Sequence, residues 1–276
     1  MKISIITATY NSGKTIKDTL DSVLKQDYTD YELIIKDGGS KDNTLSICQA
    51  YESKFNDKMR IISTPDKGIY DAMNQGIQAA TGDVVGILNS DDFYTSNDIL
   101  STVADSFGSH NGIDAIYGDV HYVEESDTTK LVRFYSSRMF RSSWMRLGFM
   151  PAHPSFYCKK SVYEQYKLNG RLIDGFKGDP DYAYFNTTYK IAADFENLLR
   201  LLFVHRIKTV YVHKDFVTMR TGGASSSGMT SHKQINRDHM RALKENGVYS
   251  NYFFLSIRYL YKIGELIAGK VMVTRR

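Results

Sequence analysis

The stretch Val84-Val85-Gly86-Ile87-Leu88-Asn89-Ser90-Asp91-Asp92 decides how this chain of 276 residues is expected to fold. Its first five residues are apolar or glycine and predict a buried strand that ends at a turn. Two carboxylates, Asp91 and Asp92, follow at the carboxyl end of that strand, where open α/β sheets bind their ligands. Such adjacent acids are costly to bury unless a cation or solvent compensates their charge. The pair suits Mg²⁺ or Mn²⁺ held together with substrate phosphates, and it equally suits a simple polar cap on a strand.

The first hundred residues alternate strand and helix patterns. Strands are predicted at Lys2–Thr7, Tyr31–Lys36, Met59–Ser63 and Asp83–Leu88. Helices are predicted at Lys14–Gln26, from a cap at Ser40 or Asp42 through Phe55, and at Gly68–Ala80. This alternation is typical of right-handed βαβ units, so we expect an α/β fold with a mostly parallel central sheet flanked by helices.

The pattern changes after Asp92. Further helices are predicted at Ser96–Phe107, Ala193–His205, Ser231–Asn246 and Asn251–Val271. Strands of a mixed sheet are predicted at Asp114–Glu124, Lys130–Tyr135, Ile207–His213 and Phe216–Arg220. The segment Thr221–Gly228 is rich in glycine and serine and is expected to form a mobile loop.

Composition excludes several classes of protein. The 35 basic and 31 acidic side chains give a net charge of +4. The sequence lacks the long basic block that would predict nucleic-acid binding. That charge fits a protein that handles anionic phosphates or rests on an anionic membrane. Cys48 and Cys158 are too few and too far apart for a disulfide framework or a zinc motif, which favours a reducing, cytoplasmic setting. We expect neither a signal peptide nor a membrane span.

Three predicted strand ends bring polar motifs to one edge of the sheet: Thr7-Ala8-Thr9-Tyr10-Asn11, Asp37-Gly38-Gly39-Ser40 and Asn89-Ser90-Asp91-Asp92. The Asp37 carboxylate is suited to accept a hydrogen bond from a base imide, and Asp-Gly is also a common turn. Neither a dinucleotide fingerprint nor a Walker A lysine follows the first strand. A metal at Asp91 and Asp92 is therefore expected to neutralise a bound phosphate.

Taken together with Asp42-Asn43-Thr44 and Asp66-Lys67-Gly68, these motifs resemble the family 2 glycosyltransferases, most of all bacterial members that build surface polysaccharides. The resemblance implies the GT-A fold, a Rossmann-like nucleotide-diphospho-sugar transferase fold. It is dense over the donor half, 1–95, and thinner over an acceptor half, 96–228. Residues 229–276 then form a helical appendage.

The resemblance also implies roles for the donor half. Asp37 would bind the base of a nucleoside diphosphate sugar, with uracil favoured, while Thr7 and Thr9 line the nucleotide pocket and Asp66 lies near the nucleotide. Asp91 would contact the ribose or a metal-bound water. Asp92 would then reach the Mn²⁺ or Mg²⁺ that bridges the diphosphate.

The catalytic base is expected in the second half, where the motif Ala193-Asp194-Phe195-Glu196 begins a predicted helix. By resemblance Asp194 is the base, because a carboxylate in a first helical turn is stabilised as the anion; a plain helix-end charge is the other reading. Glu196 is the alternative base. His153 is expected near the sugar or the diphosphate, or in a structural role. Arg220 or His232 is suited to pair with a phosphate, or to remain a surface charge.

The implied reaction is inverting transfer of the sugar to a hydroxyl of a saccharide or polyprenyl-linked acceptor. Two other classes stay open, a sugar-1-phosphate nucleotidyltransferase and a non-catalytic nucleotide-sugar-binding protein. The polar stretch Asn169–Asn186 is interpreted as an insertion on the acceptor side.

Two segments are candidates for peripheral contact with the cytoplasmic face of the inner membrane. The first is the terminal helix, whose predicted apolar face includes Phe253, Phe254, Ile257, Leu260 and Val271 and is flanked by Arg258. The same face equally suits packing on the domain or on another chain. The second candidate is the basic and aromatic stretch Phe140–Met150.

Overall fold

The computed structural model describes residues 1–168, 183–222 and 229–259 of the chain. Its strands are β1 Ile3–Thr9, β2 Tyr31–Asp37, β3 Met59–Ser63, β4 Val84–Ile87, β5 Phe93–Tyr94, β6 Ala115–Val123, β7 Leu131–Tyr135, β8 Tyr157–Lys159 and β9 Thr209–Arg220. Its α-helices are α1 Ile16–Leu24, α2 Thr44–Glu52, α3 Ile69–Ala79, α4 Ile99–Ser109, α5 Lys160–Gln165, α6 Ala193–Leu198 and α7 Met229–Glu245. The π-helical turn Leu199–Val204 extends α6, and residues 252–259 are helical.

The amino-terminal half of the sheet is parallel, as predicted. Strand β1 pairs in parallel with β2 and β4, and β2 pairs in parallel with β3, which gives the order β3-β2-β1-β4. Thr9 of β1 is in register with Asp37 of β2. Every residue of β1 is buried, because helices cover both faces of the sheet. The carboxyl ends of β1, β2 and β4 therefore share one edge.

The second half of the sheet is mixed, which the sequence also predicted. Strand β8 runs antiparallel to both β4 and β6, and β6 pairs in parallel with β9. Strands β5 and β7 pair antiparallel with β9 and β6 respectively. The sequence analysis did not predict β5, the short helix α5 or the bounds of β8, because such short segments carry too few residues to show a period.

The prediction of two strands, Ile207–His213 and Phe216–Arg220, is wrong. The structure has one strand, β9, of 12 residues, which passes the charged pair Lys214 and Asp215 without leaving the sheet. Its register against β6 shifts around Asp215 instead. This irregularity lets the carboxylate of Asp215 lie 2.7 Å from Nδ1 of His121, so the charges are accommodated by a bulge rather than a break.

The core lies in two layers, one on each face of the sheet. On one face, Ile6 and Ile34 pack with Ile77 of α3 and with Leu198 of α6. On the other face, the alternate strand residues pack against α1, α2 and α4; they include Ile5, Leu33 and Val84. The period-2 alternation of the strands thus assigns each side chain to one of the two layers.

The terminal helix is oriented differently from the prediction. Phe253, expected on the apolar face, is 72% exposed, whereas Leu255, which was not assigned to that face, is 1% exposed. Arg258, expected to flank the face, is 6% exposed. The helix rotates this way because Leu255 and Arg258 pack against Gly148, where a Cβ would meet both side chains.

Parts of three predicted segments lie outside the described residues: Asn169–Asn186, Thr221–Gly228 and the portion of Asn251–Val271 from Leu260 onward. Over the ranges that the structure does describe, every helix is too short or too polar to cross a bilayer.

Gly86 in β4 provides a test of this packing. A Cβ at Gly86 would lie 2.2 Å from the buried ring of Tyr157 in β8, whose hydroxyl hydrogen-bonds to that of Tyr94 at 2.7 Å. We expect Gly86→Ala to lower the free energy of unfolding by about 1–3 kcal/mol through overpacking. Urea denaturation measures the change. Gly108→Ala is the matched control, because a Cβ at Gly108 in α4 meets nothing within 4 Å. Equal stability of Gly86→Ala and wild type would contradict this packing.

Candidate active site

Two loops interlock at the carboxyl edge of the parallel strands. The Asn11 amide donates to Oγ of Ser40 at 2.9 Å, and the Lys41 amide donates to Oδ1 of Asn11 at 2.8 Å. Asn11 itself has a φ of 51°, a left-handed conformation that asparagine tolerates better than most residues. The hydroxyls of Ser12 and Ser90 lie 2.8 Å apart and connect this pair of loops to the turn after β4. The three strand ends thus form one continuous surface, as predicted.

Asp37 is at the centre of the second loop. Its carboxylate accepts hydrogen bonds from the Gly39 amide at 3.1 Å, from the hydroxyl of Ser40 at 2.5 Å and from the hydroxyl of Ser63 at 2.7 Å. Burial acts to raise the pKa of Asp37, but the hydrogen bonds from Ser40, Ser63 and Gly39 outweigh it and hold the pKa below its usual value. Asp37 is only 1% exposed, so its charge organises the loop from within.

Lys36 was not singled out by the sequence analysis and is the buried cation of this edge. It is 0% exposed, and its ammonium donates to the carbonyls of Asp37 at 2.9 Å and Thr64 at 2.6 Å. The same ammonium lies 3.3 Å from Oδ2 of Asp66. Asp66 in turn approaches Gly38 so closely that a Cβ there would meet its carboxylate at 2.6 Å. Lys36 therefore fixes Asp66 beside the Asp37 loop, at the place expected for a nucleotide contact.

Asp91 and Asp92 have electrostatic environments opposite to that of Asp37. Burial raises the pKa of Asp92 well above its usual value, the neighbouring Asp91 raises it further, and Arg220 only partly offsets these effects. Burial likewise raises the pKa of Asp91. Asp91 is partly exposed, whereas Asp92 is 2% exposed. Two desolvated carboxylates next to each other favour the binding of a cation.

Four buried side-chain oxygens at this edge have no hydrogen-bond partner within the described part of the chain: Thr7 Oγ1, Thr9 Oγ1, Asn89 Oδ1 and Asp92 Oδ2. Buried polar atoms are normally satisfied, so a group of orphans at one edge points to a ligand that satisfies them. No cluster of three or more metal-ligating side chains occurs among the described residues. The carboxylate oxygens of Asp91 and Asp92 are of the type that would suit a hard divalent cation.

The two candidate phosphate partners lie apart from each other. Arg220 forms an ion pair with Asp18 and donates to the carbonyl of Asp91 at 2.5 Å, so it braces the turn after β4. Its guanidinium also lies 5.1 Å from the ring centre of Phe93. His232, on α7, lines a different part of the molecule, the cavity described below.

Asp194 and His153 come together on the opposite side of the cleft. Oδ2 of Asp194 lies 3.3 Å from Nδ1 of His153, and its Oδ1 accepts a hydrogen bond from the Phe195 amide at 2.9 Å. Asp194 is in the first turn of α6, as predicted, and both side chains remain partly exposed. This arrangement orients one carboxylate oxygen toward an imidazole that is able to share a proton with it.

Three contacts fix the position of α6. The amide group of Asn74 in α3 donates to the Phe185 carbonyl at 2.8 Å and accepts from the Phe185 amide at 2.7 Å. The hydroxyl of Tyr70, also in α3, donates to the Ile191 carbonyl. From α7, the carboxylate of Asp238 accepts the Ile191 amide at 3.1 Å. Helix α3 follows the donor loops in sequence, so these contacts connect the predicted base to the donor half.

Glu196, the alternative base, is engaged elsewhere. Its Oε1 accepts from Nε of Arg200 at 3.1 Å, and its side chain is 3% exposed. The guanidinium of Arg200 also donates to the Tyr184 carbonyl at 2.6 Å. Glu196 is thus part of a buried ion pair that supports α6, whereas Asp194 faces open space.

A cavity of about 440 Å³ opens beside Asp194 and His153. Its wall includes the side chain of Tyr122, which belongs to β6. Burial raises the pKa of Tyr122, Arg133 lowers it, and the negative charges of both Asp92 and Asp194 raise it. Tyr122 lines this cavity together with Asp194, and its pKa responds to the charges of both Asp92 and Asp194. The sequence offered no signal for this tyrosine.

The fold is that of the GT-A glycosyltransferases, with polar loops along the carboxyl edge of a parallel sheet and a carboxylate beside a cavity. The family model of glycosyl transferase family 2 matches residues 4–166, more than half of the chain. The chain belongs to this family and is a glycosyltransferase. This membership decides against the nucleotidyltransferase and the non-catalytic binder.

Among its relatives is a PGL/p-HBAD biosynthesis glycosyltransferase of Mycobacterium bovis, 28% identical over 85% of this chain and 82% of that protein. The poly(ribitol-phosphate) β-N-acetylglucosaminyltransferase TarS of Staphylococcus aureus is 35% identical over 38% of this chain, and the match spans only 18% of TarS.

Solved structures show the same fold. The TarS crystal structure superposes with a TM-score of 0.62 at 20% identity, covering 91% of this chain and 44% of TarS. A TarS fragment in complex with UDP-GlcNAc gives a TM-score of 0.58. The mannosyltransferase PcManGT of Pyrobaculum calidifontis, in complex with GDP-Man and Mn²⁺, gives 0.57 at 14% identity over 99% of this chain and 80% of that one.

The contrast between Asp37 and Asp92 predicts opposite effects of the same substitution. The pKa of Asp37 is lowered by folding, so its charge stabilises the protein above about pH 4 and loses that effect at lower pH. The pKa of Asp92 is raised by folding, so the protein loses stability as the pH rises above about 4, where the carboxyl ionises more readily in the unfolded chain than in the folded protein. Near pH 7, without divalent cations, we expect Asp37→Asn to lower the free energy of unfolding by about 1.5–3 kcal/mol. Asp92→Asn should raise it by about 1–3 kcal/mol.

Urea unfolding at pH values from 4 to 8 measures both differences, which should shrink toward pH 4. Each variant is the control for the other, because both replace a buried carboxylate by an amide of the same shape. Destabilisation by Asp92→Asn at pH 7 that equals the effect of Asp37→Asn would contradict this account.

Proposed function

We propose that this protein is an inverting glycosyltransferase that moves a sugar from a uridine diphosphate donor to an acceptor hydroxyl in polysaccharide or glycolipid biosynthesis. The observation that carries the proposal is the position of Asp194, which pairs with His153 and lines a cavity in a chain of this family. The role of the mycobacterial relative in PGL/p-HBAD biosynthesis supports the pathway, and the UDP-GlcNAc complex of TarS supports the donor nucleotide.

The donor is placed along the carboxyl edge of β1, β2 and β4. Thr7 and Thr9 offer two buried hydroxyls without partners in the described part of the chain, which suits a nucleoside that hydrogen-bonds there. Asp66, held by Lys36, is the more exposed carboxylate next to the Asp37 loop and is therefore better placed than Asp37 to meet the base directly. Asp37 then keeps the loop in shape.

Asp91 and Asp92 are the residues that would hold a divalent cation. Asp92 contributes the buried oxygen without a partner, and the more exposed Asp91 joins it on the side of the cleft. When bound, such a cation neutralises the diphosphate and lowers the free energy of its departure as leaving group. The Mn²⁺ in the PcManGT complex supports this assignment.

Asp194 is placed to act on the acceptor. Its carboxylate takes the proton of the acceptor hydroxyl while the hydroxyl oxygen attacks the anomeric carbon from the face opposite the diphosphate. The new C–O bond forms as the bond to the diphosphate breaks, and the electron pair leaves with the diphosphate. His153 keeps the Asp194 carboxylate oriented and stabilises its charge before the transfer. One displacement of this kind inverts the anomeric centre.

Asp194→Asn tests the base directly. The amide keeps the size of the side chain but cannot take a proton, so we expect kcat to fall by about 10²–10⁴-fold. Release of UDP in the presence of donor and acceptor measures turnover, and calorimetric titration with UDP should show unchanged binding. Asp114→Asn is a matched control, because Asp114 only accepts the Lys208 amide at 2.8 Å, outside the cavity. Near-normal turnover of Asp194→Asn would refute the assignment.

The cation is tested through donor binding. We expect Mn²⁺ to strengthen the binding of UDP to the wild type, because it satisfies the carboxylates and the diphosphate together. Asp92→Ala and Asp91→Ala should each lose this enhancement, while Asp194→Asn keeps it. A screen of nucleotide sugars by thermal shift with and without Mn²⁺ identifies the base and sugar. Indistinguishable UDP titrations of Asp92→Ala and wild type in Mn²⁺ would rule the cation site out.

A further inference from the structure

The cavity beside Asp194 has a mainly apolar wall. The stretch Phe140–Met150, considered above for lipid contact, instead places its aromatic rings here, while Arg138 and Arg141 remain exposed. The larger apolar side chains in the wall include Phe140, Trp144, Phe149, Met150, Met219 and Ile235. The rings of Trp144 and Phe149 pack against each other with centres 5.6 Å apart. A volume of about 440 Å³ is in the usual range for a small organic ligand.

One buried cation also lines this cavity. Arg258, on the terminal helix, is 6% exposed, and its guanidinium contacts Oδ1 of Asn236 at 2.5 Å and Nδ1 of His239 at 2.6 Å. Its other contacts are to the Gly148 carbonyl at 3.4 Å and the Tyr259 hydroxyl at 3.2 Å. All of these groups are uncharged oxygens or a histidine ring. Within the ranges that the structure describes, the Arg258 Nε has no acceptor and no carboxylate pairs with the guanidinium.

An unpaired buried guanidinium is unusual. The other described arginine that is buried to this degree beside α6, Arg200, pairs with Glu196. A buried charge without a counter-ion costs several kcal/mol, and buried charges are normally paired or bind a ligand. The wall therefore combines an apolar surface with a buried positive charge that a bound anion would neutralise.

Arg258 is connected to the predicted base. The ring of His239, which contacts its guanidinium, stacks on Phe195 with centres 3.8 Å apart. Phe195 is the residue that follows Asp194 in α6. Arg258 and Asp194 line the same cavity, so one molecule that spans it could present an anion to Arg258 and a hydroxyl to Asp194.

We propose that the acceptor is an anionic amphiphile, with an apolar chain or ring system in the aromatic cavity and an oxyanion paired with Arg258. The proposal rests on the transferase function above and narrows the acceptor to this class. A neutral saccharide would leave both the apolar wall and the Arg258 charge unsatisfied. The oxyanion is a phosphate or a carboxylate, and both chemistries would satisfy the guanidinium.

Trp144 makes the test direct, because it is the only tryptophan of the chain and it lines the cavity. Tryptophan emission is followed while the full-length protein is titrated with decyl phosphate, decanoate, decanol and inorganic phosphate, each below its micellar concentration. We expect saturable binding of decyl phosphate or decanoate that is at least about tenfold tighter than that of decanol. The comparison of the two anions identifies the oxyanion. Equal binding of decanol, or no binding of either anion, would overturn the proposal.

Variants locate the anion. Arg258→Met should weaken binding of the preferred anion by about tenfold or more and leave decanol unchanged, while Arg258→Lys keeps most of the affinity. Arg241→Met is the matched control, because Arg241 pairs with Glu245 outside the cavity wall. Thermal unfolding shows that each variant is folded, and the wild-type series needs no variant. Unchanged anion affinity in Arg258→Met would refute the site.

The titration contains no nucleotide, so its result is independent of the donor site. A parallel UDP titration of the same protein distinguishes a failure of the acceptor proposal from a failure of the donor assignment. Loss of amphiphile binding with normal UDP binding would overturn the acceptor proposal alone. Amphiphile binding without UDP binding would instead contradict the donor assignment.

Discussion

The side chain of Asn74 joins the two functional parts of this molecule. It is 1% exposed, and its amide satisfies both the donor and the acceptor of the Phe185 backbone. Because Asn74 belongs to the helix that follows the donor loops, this contact fixes the segment before α6 against the donor half. The neighbouring contact from Tyr70 to the Ile191 carbonyl holds the same segment closer to Asp194. Buried amide networks of this kind specify one arrangement of a core when all their members are satisfied.

The donor edge shows how environment gives one residue type different tasks. Asp37 is buried among hydroxyl and amide donors, which favour its charge and make it a support of the loop. Asp92 is equally buried, but one of its oxygens has no partner in the described chain and a second acid is its neighbour. The first carboxylate stabilises the fold, whereas the second is a destabilising charge that a ligand can satisfy. Ionisable groups whose charge is destabilised in this way are typical of functional sites.

The cavity beside Asp194 also contains a buried charge, which here is positive rather than negative. Arg200 and Arg258 are both buried near α6, yet only Arg200 has an acidic partner among the described residues. The aromatic wall and the unpaired guanidinium lie in one cavity, beside a carboxylate with an oxygen directed at His153. The family relationship identifies the class of reaction. The shape and charge of the cavity support the proposed class of acceptor.

The sequence by itself determined the parallel half of the sheet, because each buried strand there ends in a turn motif that can be read locally. The same local patterns found Asp91, Asp92 and Asp194, and the combination of motifs identified the family. The sequence by itself could not predict the two-residue strand β5, the continuity of β9 or the burial of the Arg258 side chain. These features depend on partners far away in the chain. Only the tertiary structure decided that Lys36 holds Asp66, that Glu196 pairs with Arg200, and that Tyr122 lines the cavity beside Asp194. Burial and charge pairing set those roles, and both are properties of the folded chain rather than of any local pattern.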